Sequence, residues 1–308
     1  MFNKIFKMRK SLLLIGIACI VTLHSCSTCA RRQTVEDVDI YVGSWFMDSA
    51  HIELARTVLY ALPTPVELSL LIRNSGIPWN PALLNDPTNA SKYLTGQKMA
   101  LNFGVYVTNL TYAGLFEQAQ TMLRYKAAIS YLIDRMGLQS ALNTNTLQLL
   151  EQNINDRNMV LRIISEIYAS CSAFLDENER YSMGLAILVG GWVESMHLAT
   201  STLDENLFVN QERMRQLVID QMMSFDIMWQ AMSDLKEIPG VDELLKGFTP
   251  LAQIFDRIGI HQEPNVTSIF EATDVTEIAS INVVDVSPEE FENIKIQIQI
   301  LRDNLINI

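Results

Sequence analysis

The stretch YSMGLAILVGGWVESMHLATST, running from Tyr181 to Thr202, decides the fold. From Ser182 to Val193 it carries no charge, and Arg180 and Glu194 bound it. An uncharged run of that length is too short to span a bilayer and long enough for a buried helix. At about 100° per residue, Leu185, Leu188, Val189, Trp192, Met196 and Ala199 fall on one face. Ile187, Gly190, Gly191, Glu194 and Leu198 fall on the other. A helix apolar on both faces belongs in a core. The two glycines each weaken it by about 1 kcal/mol relative to Ala. Close approach of another backbone on that side is the expected return. The stretch predicts a central buried helix on which the remaining chain packs.

Amphipathic segments lie on both sides of it. After it, Val209 to Leu235 carries a stripe of Met214, Leu217, Phe225, Met228, Met232 and Leu235. Pro239-Gly240 breaks the chain and Val241 to Ile258 resumes it. Before it, Asp156 to Leu175 is amphipathic through Val160, Ile163, Ile167, Cys171 and Phe174. Thr144 to Asn155 is a shorter helix. Leu115 to Met136 is helical with Gly137 as its stop. Lys92 to Gly114 aligns Met99, Phe103, Tyr106, Leu110 and Ala113. Pro78, Pro81 and Pro87 make Ile77 to Thr88 an irregular loop, with one turn at Pro81 to Leu84. Trp45 to Leu62 is the first helix, and Thr64-Pro65-Val66-Glu67 starts another that Gly76 ends. Beyond Ile258 the pattern changes. Ile260 to Val286 is rich in Thr, Val, Ile and Asn and shows no helical period, so it reads as an extended strap or a small hairpin. Ser287-Pro288-Glu289-Glu290 is a second capping box, opening a last helix with Phe291, Ile294, Ile298, Leu301 and Leu305 inward. No fixed-period repeat occurs, which disfavours a regular solenoid. The fold class is all-α: an irregular multi-helix bundle around the helix at about 181–202, with a C-terminal extended strap and a final helix. The helical domain spans 43–258, and 259–308 packs on it.

The N-terminus reads as an export signal. Lys4, Lys7, Arg9 and Lys10 form a basic region, and Ser11 to Leu23 an apolar one too short for a membrane span. The segment closes on Leu23-His24-Ser25-Cys26, which resembles the lipobox of bacterial lipoproteins. That resemblance implies cleavage after Ser25 and acylation of Cys26, with ordinary secretion as the alternative. Residues 1–25 are then a signal peptide and 26–42 a polar tether. Removing the signal takes away four cations and no acids, leaving 19 Lys and Arg against 35 Asp and Glu, a net charge of −16. Such acidity argues against nucleic acid and against electrostatic docking on anionic lipid. Contact with a membrane would come from the acyl chains alone. Ser27 to Arg32 lacks the acidic run that sends some lipoproteins outward, so the protein is expected to face the periplasm. Besides Cys26, the mature chain holds Cys29 in the tether and Cys171 on an apolar stripe, which is no disulfide framework.

The chain carries no complete catalytic, metal or nucleotide signature. Glu194 and His197 form an E-x-x-H pair on the Gly190 face. Two such pairs plus further carboxylates build a di-iron site, but Asp48 to His51 is the only loosely similar second pair. The other reading is a buried Glu hydrogen-bonded to a Tyr, an Arg or the His. Cys171 would need a thiolate-stabilising neighbour to act as a nucleophile, and on an apolar stripe it reads as a small core residue. Asn102, Tyr106 and Asn109 fall near one another on an otherwise apolar helix, where they line a pocket or tie helices together. The methionines between Met214 and Met232 read as core filler. His261 reads as solvated. We therefore expect no cofactor and no metal. The candidate polar cluster or pocket is Glu194, His197, Asn102, Tyr106 and Asn109.

Three stretches, Leu62-Pro63-Thr64-Pro65-Val66-Glu67-Leu68, Ala100-Leu101-Asn102-Phe103-Gly104-Val105-Tyr106 and Gly190-Gly191-Trp192-Val193-Glu194-Ser195, resemble stretches of α-helical lipoproteins from Bacteroidetes-type bacteria. That family has no assigned activity to carry over. The sequence leads to a non-enzymatic cell-envelope lipoprotein that binds a protein or ligand in the periplasm, lipid-anchored to the outer membrane. The alternative is an envelope enzyme acting on cell-wall or small-molecule substrates with Glu194 as acid or base. Burial of Glu194 with its oxygens satisfied would favour the first, and a cleft beside a second carboxylate the second.

Overall fold

The computed structural model describes Arg73 and residues 78–307, apart from 144, 179, 204–211, 239, 259–260, 266–278 and 284–285. For 176, 212–215, 217–218, 223 and both strands it describes backbone only. The signal, Cys26, Cys29, His51 and, apart from Arg73, the two helices expected before Gly76 lie outside the described residues. The described helices are α1 Gly96–Leu115, α2 Ala119–Met136, α3 Thr146–Gln152, α4 Arg157–Glu177, α5 Tyr181–Ser201, α6 Glu212–Asp234, α7 Val241–Ile258 and α8 Pro288–Ile306. The architecture is all-α. The only described strands are β1 His261–Asn265 and β2 Ala279–Val283, paired antiparallel with His261 opposite Val283 and Asn265 opposite Ala279.

α5 is the quoted stretch. Every residue from Met183 to Thr200 is buried, on both faces of the helix. It touches α1, α4, α6 and α8, and its contact with α1 is the most extensive between any two described helices. That contact is possible because both helices offer glycine. A Cβ on Gly190 would run into the carbonyl oxygen of Leu101, and one on Gly104 into the carbonyl oxygen of Ile187 and the amide nitrogen of Gly191. The close approach thus rests on Gly190 and Gly104. Gly191 contributes backbone to it, and its carbonyl accepts from the hydroxyls of Ser195 at 2.8 Å and Thr108 at 3.4 Å. On the opposite side, Trp192 packs against Phe225 of α6 and Phe248 of α7, with ring centroids 5.7 and 6.2 Å away.

Some boundaries differ from the sequence reading. Helix α1 starts at Gly96 rather than Lys92, because Pro87–Lys92 forms a 3-10 helix and the Thr95 side chain caps the amide of Lys98. Between α1 and α2 the chain breaks at Glu117, whose φ of 56° is left-handed. The amides of Gln118 and Glu117 return to the carbonyls of Ala113 and Gly114, a helix stop usually built on glycine. Gly137 ends α2 with φ 69°, and Ser287 with Glu290 forms the capping box of α8.

Candidate functional site

Glu194 is the charge at the centre of the fold, fully buried in α5. Its carboxylate is held from two sides. Arg302 of α8 donates from Nε to Oε2 at 2.7 Å and from Nη2 to Oε1 at 3.1 Å. Asn109 of α1 donates from Nδ2 to Oε1 at 2.6 Å. A buried carboxylate needs this: without a cation and hydrogen bonds its desolvation would be prohibitive. Arg302 is itself buried, and its Nη2 also donates to the carbonyl of Leu83 at 2.8 Å. The same carbonyl lies 3.1 Å from Nε2 of His197. A carbonyl can only accept, so Nε2 carries the proton and Nδ1 accepts from the Ser201 hydroxyl at 3.2 Å. Burial holds the His197 pKa below its ordinary value and so favours this neutral form.

The loop before α1 is stitched to this centre through Asn85. Its backbone amide donates to Asn109 Oδ1 at 2.9 Å, and its side-chain amide to Tyr93 OH at 3.0 Å and Asn102 Oδ1 at 3.2 Å. The Tyr125 hydroxyl donates to its carbonyl at 2.7 Å. Tyr106 donates to the carbonyl of Asp86 at 3.0 Å, and its ring lies against those of Tyr93 and Tyr125. Burial raises the pKa of Tyr106, Tyr125 and Tyr93, keeping all three phenols neutral. The far end of α8 meets α1 in a second set of bonds. Lys98 Nζ donates to the carbonyls of Asn304 at 2.7 Å and Asn307 at 2.9 Å, Asn102 to that of Leu305 at 3.0 Å, and Tyr93 to that of Ile306 at 3.2 Å. These are the carbonyls that a helix end leaves without partners of its own.

Glu194, His197, Asn102, Tyr106 and Asn109, the residues singled out from sequence, are all buried. Glu194 and Asn109 bond directly, Asn102 joins Asn109 through Asn85, and His197 joins through the shared Leu83 carbonyl. Tyr106 bonds to none of the other four and contributes through its ring neighbours. The sequence reading missed Arg302, Asn85, Tyr93 and Tyr125. Both oxygens of Glu194 and both ring nitrogens of His197 are engaged by protein groups, so this E-x-x-H pair is a packing and hydrogen-bonding device. Among the described residues no group of three or more His, Cys, Asp or Glu is placed to hold a metal. Cys171 is fully buried, and burial pushes its thiol up to about 12, far from the thiolate a nucleophile needs.

Comparison with family models, with curated proteins and with solved structures gives no match. The family resemblance therefore rests on the three stretches quoted above.

Proposed function

We propose that this protein is a lipid-anchored cell-envelope protein that works by binding a protein or ligand in the periplasm and not by catalysis. The observation that carries the reading is the N-terminal sequence: a basic region, an apolar run and Leu23-His24-Ser25-Cys26. Cys26 is the lipidated residue, anchoring the chain to the outer membrane through more than one acyl chain, since one alone holds only marginally. The binding half of the reading draws support from Glu194, the one candidate acid or base, whose carboxylate is buried and taken up by Arg302 and Asn109. A general acid or base must instead reach its substrate. Intact-mass analysis of the native protein tests the proposal. The expected mature chain begins at an acylated Cys26. An unmodified N-terminus, or one at another residue, would overturn it.

A further inference from the structure

We infer that the seam between α5, α6 and α7 holds a buried site for a single hydroxyl group, bridged between Nε1 of Trp192 and Oε1 of Gln221. Among the described residues, Ser172 Oγ, Trp192 Nε1 and Gln221 Oε1 are buried with no hydrogen-bond partner. Buried polar groups are otherwise paired almost without exception, so an orphan of this kind points to a bound molecule. Two of these three belong to one seam. Trp192 is 3% exposed, and its ring lies 5.7 Å from that of Phe225 on α6 and 6.2 Å from that of Phe248 on α7. Gln221, also 3% exposed, precedes Phe225 by one helical turn on the same buried face of α6. The two orphans are chemically complementary. An indole nitrogen only donates and an amide oxygen only accepts. They are not bonded to each other. A group that accepts one hydrogen bond and donates one completes both, and a hydroxyl is the smallest that does so. The surroundings favour it over an ion. Met222, Phe225, Met228 and Phe248 are buried along α6 and α7, and no charged residue described on those two helices is. A charged ligand would lose its hydration there without a counter-charge. The hydroxyl belongs to a buried water, which needs about two to four polar partners, or to a small apolar alcohol or phenol.

Nuclear magnetic resonance of the full-length chain, with its indole nitrogens isotopically labelled, distinguishes the two sources. The chain has four tryptophans and so four indole N–H signals, and Trp192→Phe identifies that of Trp192 by its loss. Should that variant not fold, replacing the other three in turn identifies the signal by elimination. The Trp192 N–H is expected to meet a hydroxyl. A cross-peak to water in the untreated protein assigns that hydroxyl to a buried water. Displacement of the signal by phenol, and not by toluene, assigns it to an organic ligand. A signal with no water contact that phenol does not move, or that phenol and toluene move alike, overturns the inference. The bridge is tested separately by urea unfolding of Trp192→Phe, Gln221→Leu and the double variant. One hydroxyl shared by both residues couples them. The effect of the double variant on the unfolding constant should then differ by at least about threefold from the product of the single effects. Single effects that simply multiply would show that the two groups share nothing. Neither measurement depends on whether Cys26 is acylated.

Discussion

Arg302 and Glu194 are the residues whose loss should be felt most. A buried ion pair is little better than a hydrophobic pair, but half of one is costly. Arg302→Ala or Glu194→Ala is expected to destabilise the protein by about 3–5 kcal/mol, a large part of the 5–15 kcal/mol typical of a domain. Replacing both by methionine should recover most of that loss. Asn109 Nδ2 keeps the carbonyl of Val105, and the Leu83 carbonyl keeps His197. Urea melts of the two single variants and the double variant test this, and a single substitution costing under about 1 kcal/mol would show the pair to be dispensable. His197 adds a pH dependence. Its folded pKa lies below the unfolded value of about 6.5, so the unfolded chain binds the proton more readily and stability is lost as pH falls through that value. Measured against His197→Gln, which cancels the shared carboxylate effects, the wild-type advantage should shrink between pH 8 and pH 5. A gap that stays constant would mean that His197 does not titrate in that window. Arg302 was legible in principle, since Ile294, Ile298, Arg302 and Leu305 share a helical stripe and a cation there calls for a buried acid. Asn85 was not, because it sits in a proline-rich loop where no period marks an inward residue.

At the scale of elements, the α1–α5 seam carries the most specific expectation. Gly104→Ala and Gly190→Ala each place a methyl group against backbone that cannot turn aside. Overpacking of this kind costs about 1–3 kcal/mol or more, while the gain in helix propensity is only about 0.5–1 kcal/mol. Both variants should therefore melt lower than the wild type, and an unchanged midpoint in either would show that the helices can move apart. The sequence pointed to the glycine pair of α5 but not to Gly104, which is a lone glycine among apolar residues whose role appears only when its partner helix is known. Helix identity followed from the hydrophobic period because most of these helices have a wet side. The boundaries slipped where chemistry unlike the common pattern did the work. Glu117 takes the left-handed position that glycine takes at Gly137, so the break between α1 and α2 falls at 116–118 and not between Gly114 and Leu115, where the sequence reading put it. The extended character of β1 and β2 was visible in composition, whereas their pairing depends on register that composition does not encode.

The whole molecule combines an apolar core with an unbalanced surface. The chain has 35 Asp and Glu against 23 Lys and Arg, a net charge of −12. Glu194 and Arg302 cancel each other inside, so the excess is carried elsewhere. The described surface ion pairs, Lys126–Glu151, Arg157–Glu117, Lys246–Asp242 and Lys295–Glu292, are exposed on at least one side. Pairs of that kind contribute about 0–1 kcal/mol each. Acids also face one another across α6 and α7. Burial, and then the neighbouring charge of Asp256 on α7, raises the pKa of Asp226 on α6, so in the folded state this carboxylate is charged at a cost. Repulsion among the surplus acids should then outweigh attraction within the few pairs. Salt screens both. The Debye length falls from about 30 Å at 0.01 M to about 8 Å at 0.15 M, which removes the long-range repulsion while leaving the buried Glu194–Arg302 pair almost untouched. The thermal midpoint is therefore expected to rise between 0.01 and 0.15 M sodium chloride, and to rise less in Asp226→Asn, where one repulsive contact has already been removed. A midpoint that falls with salt would mean that the surface pairs, and not the surplus charge, govern the electrostatics of the fold.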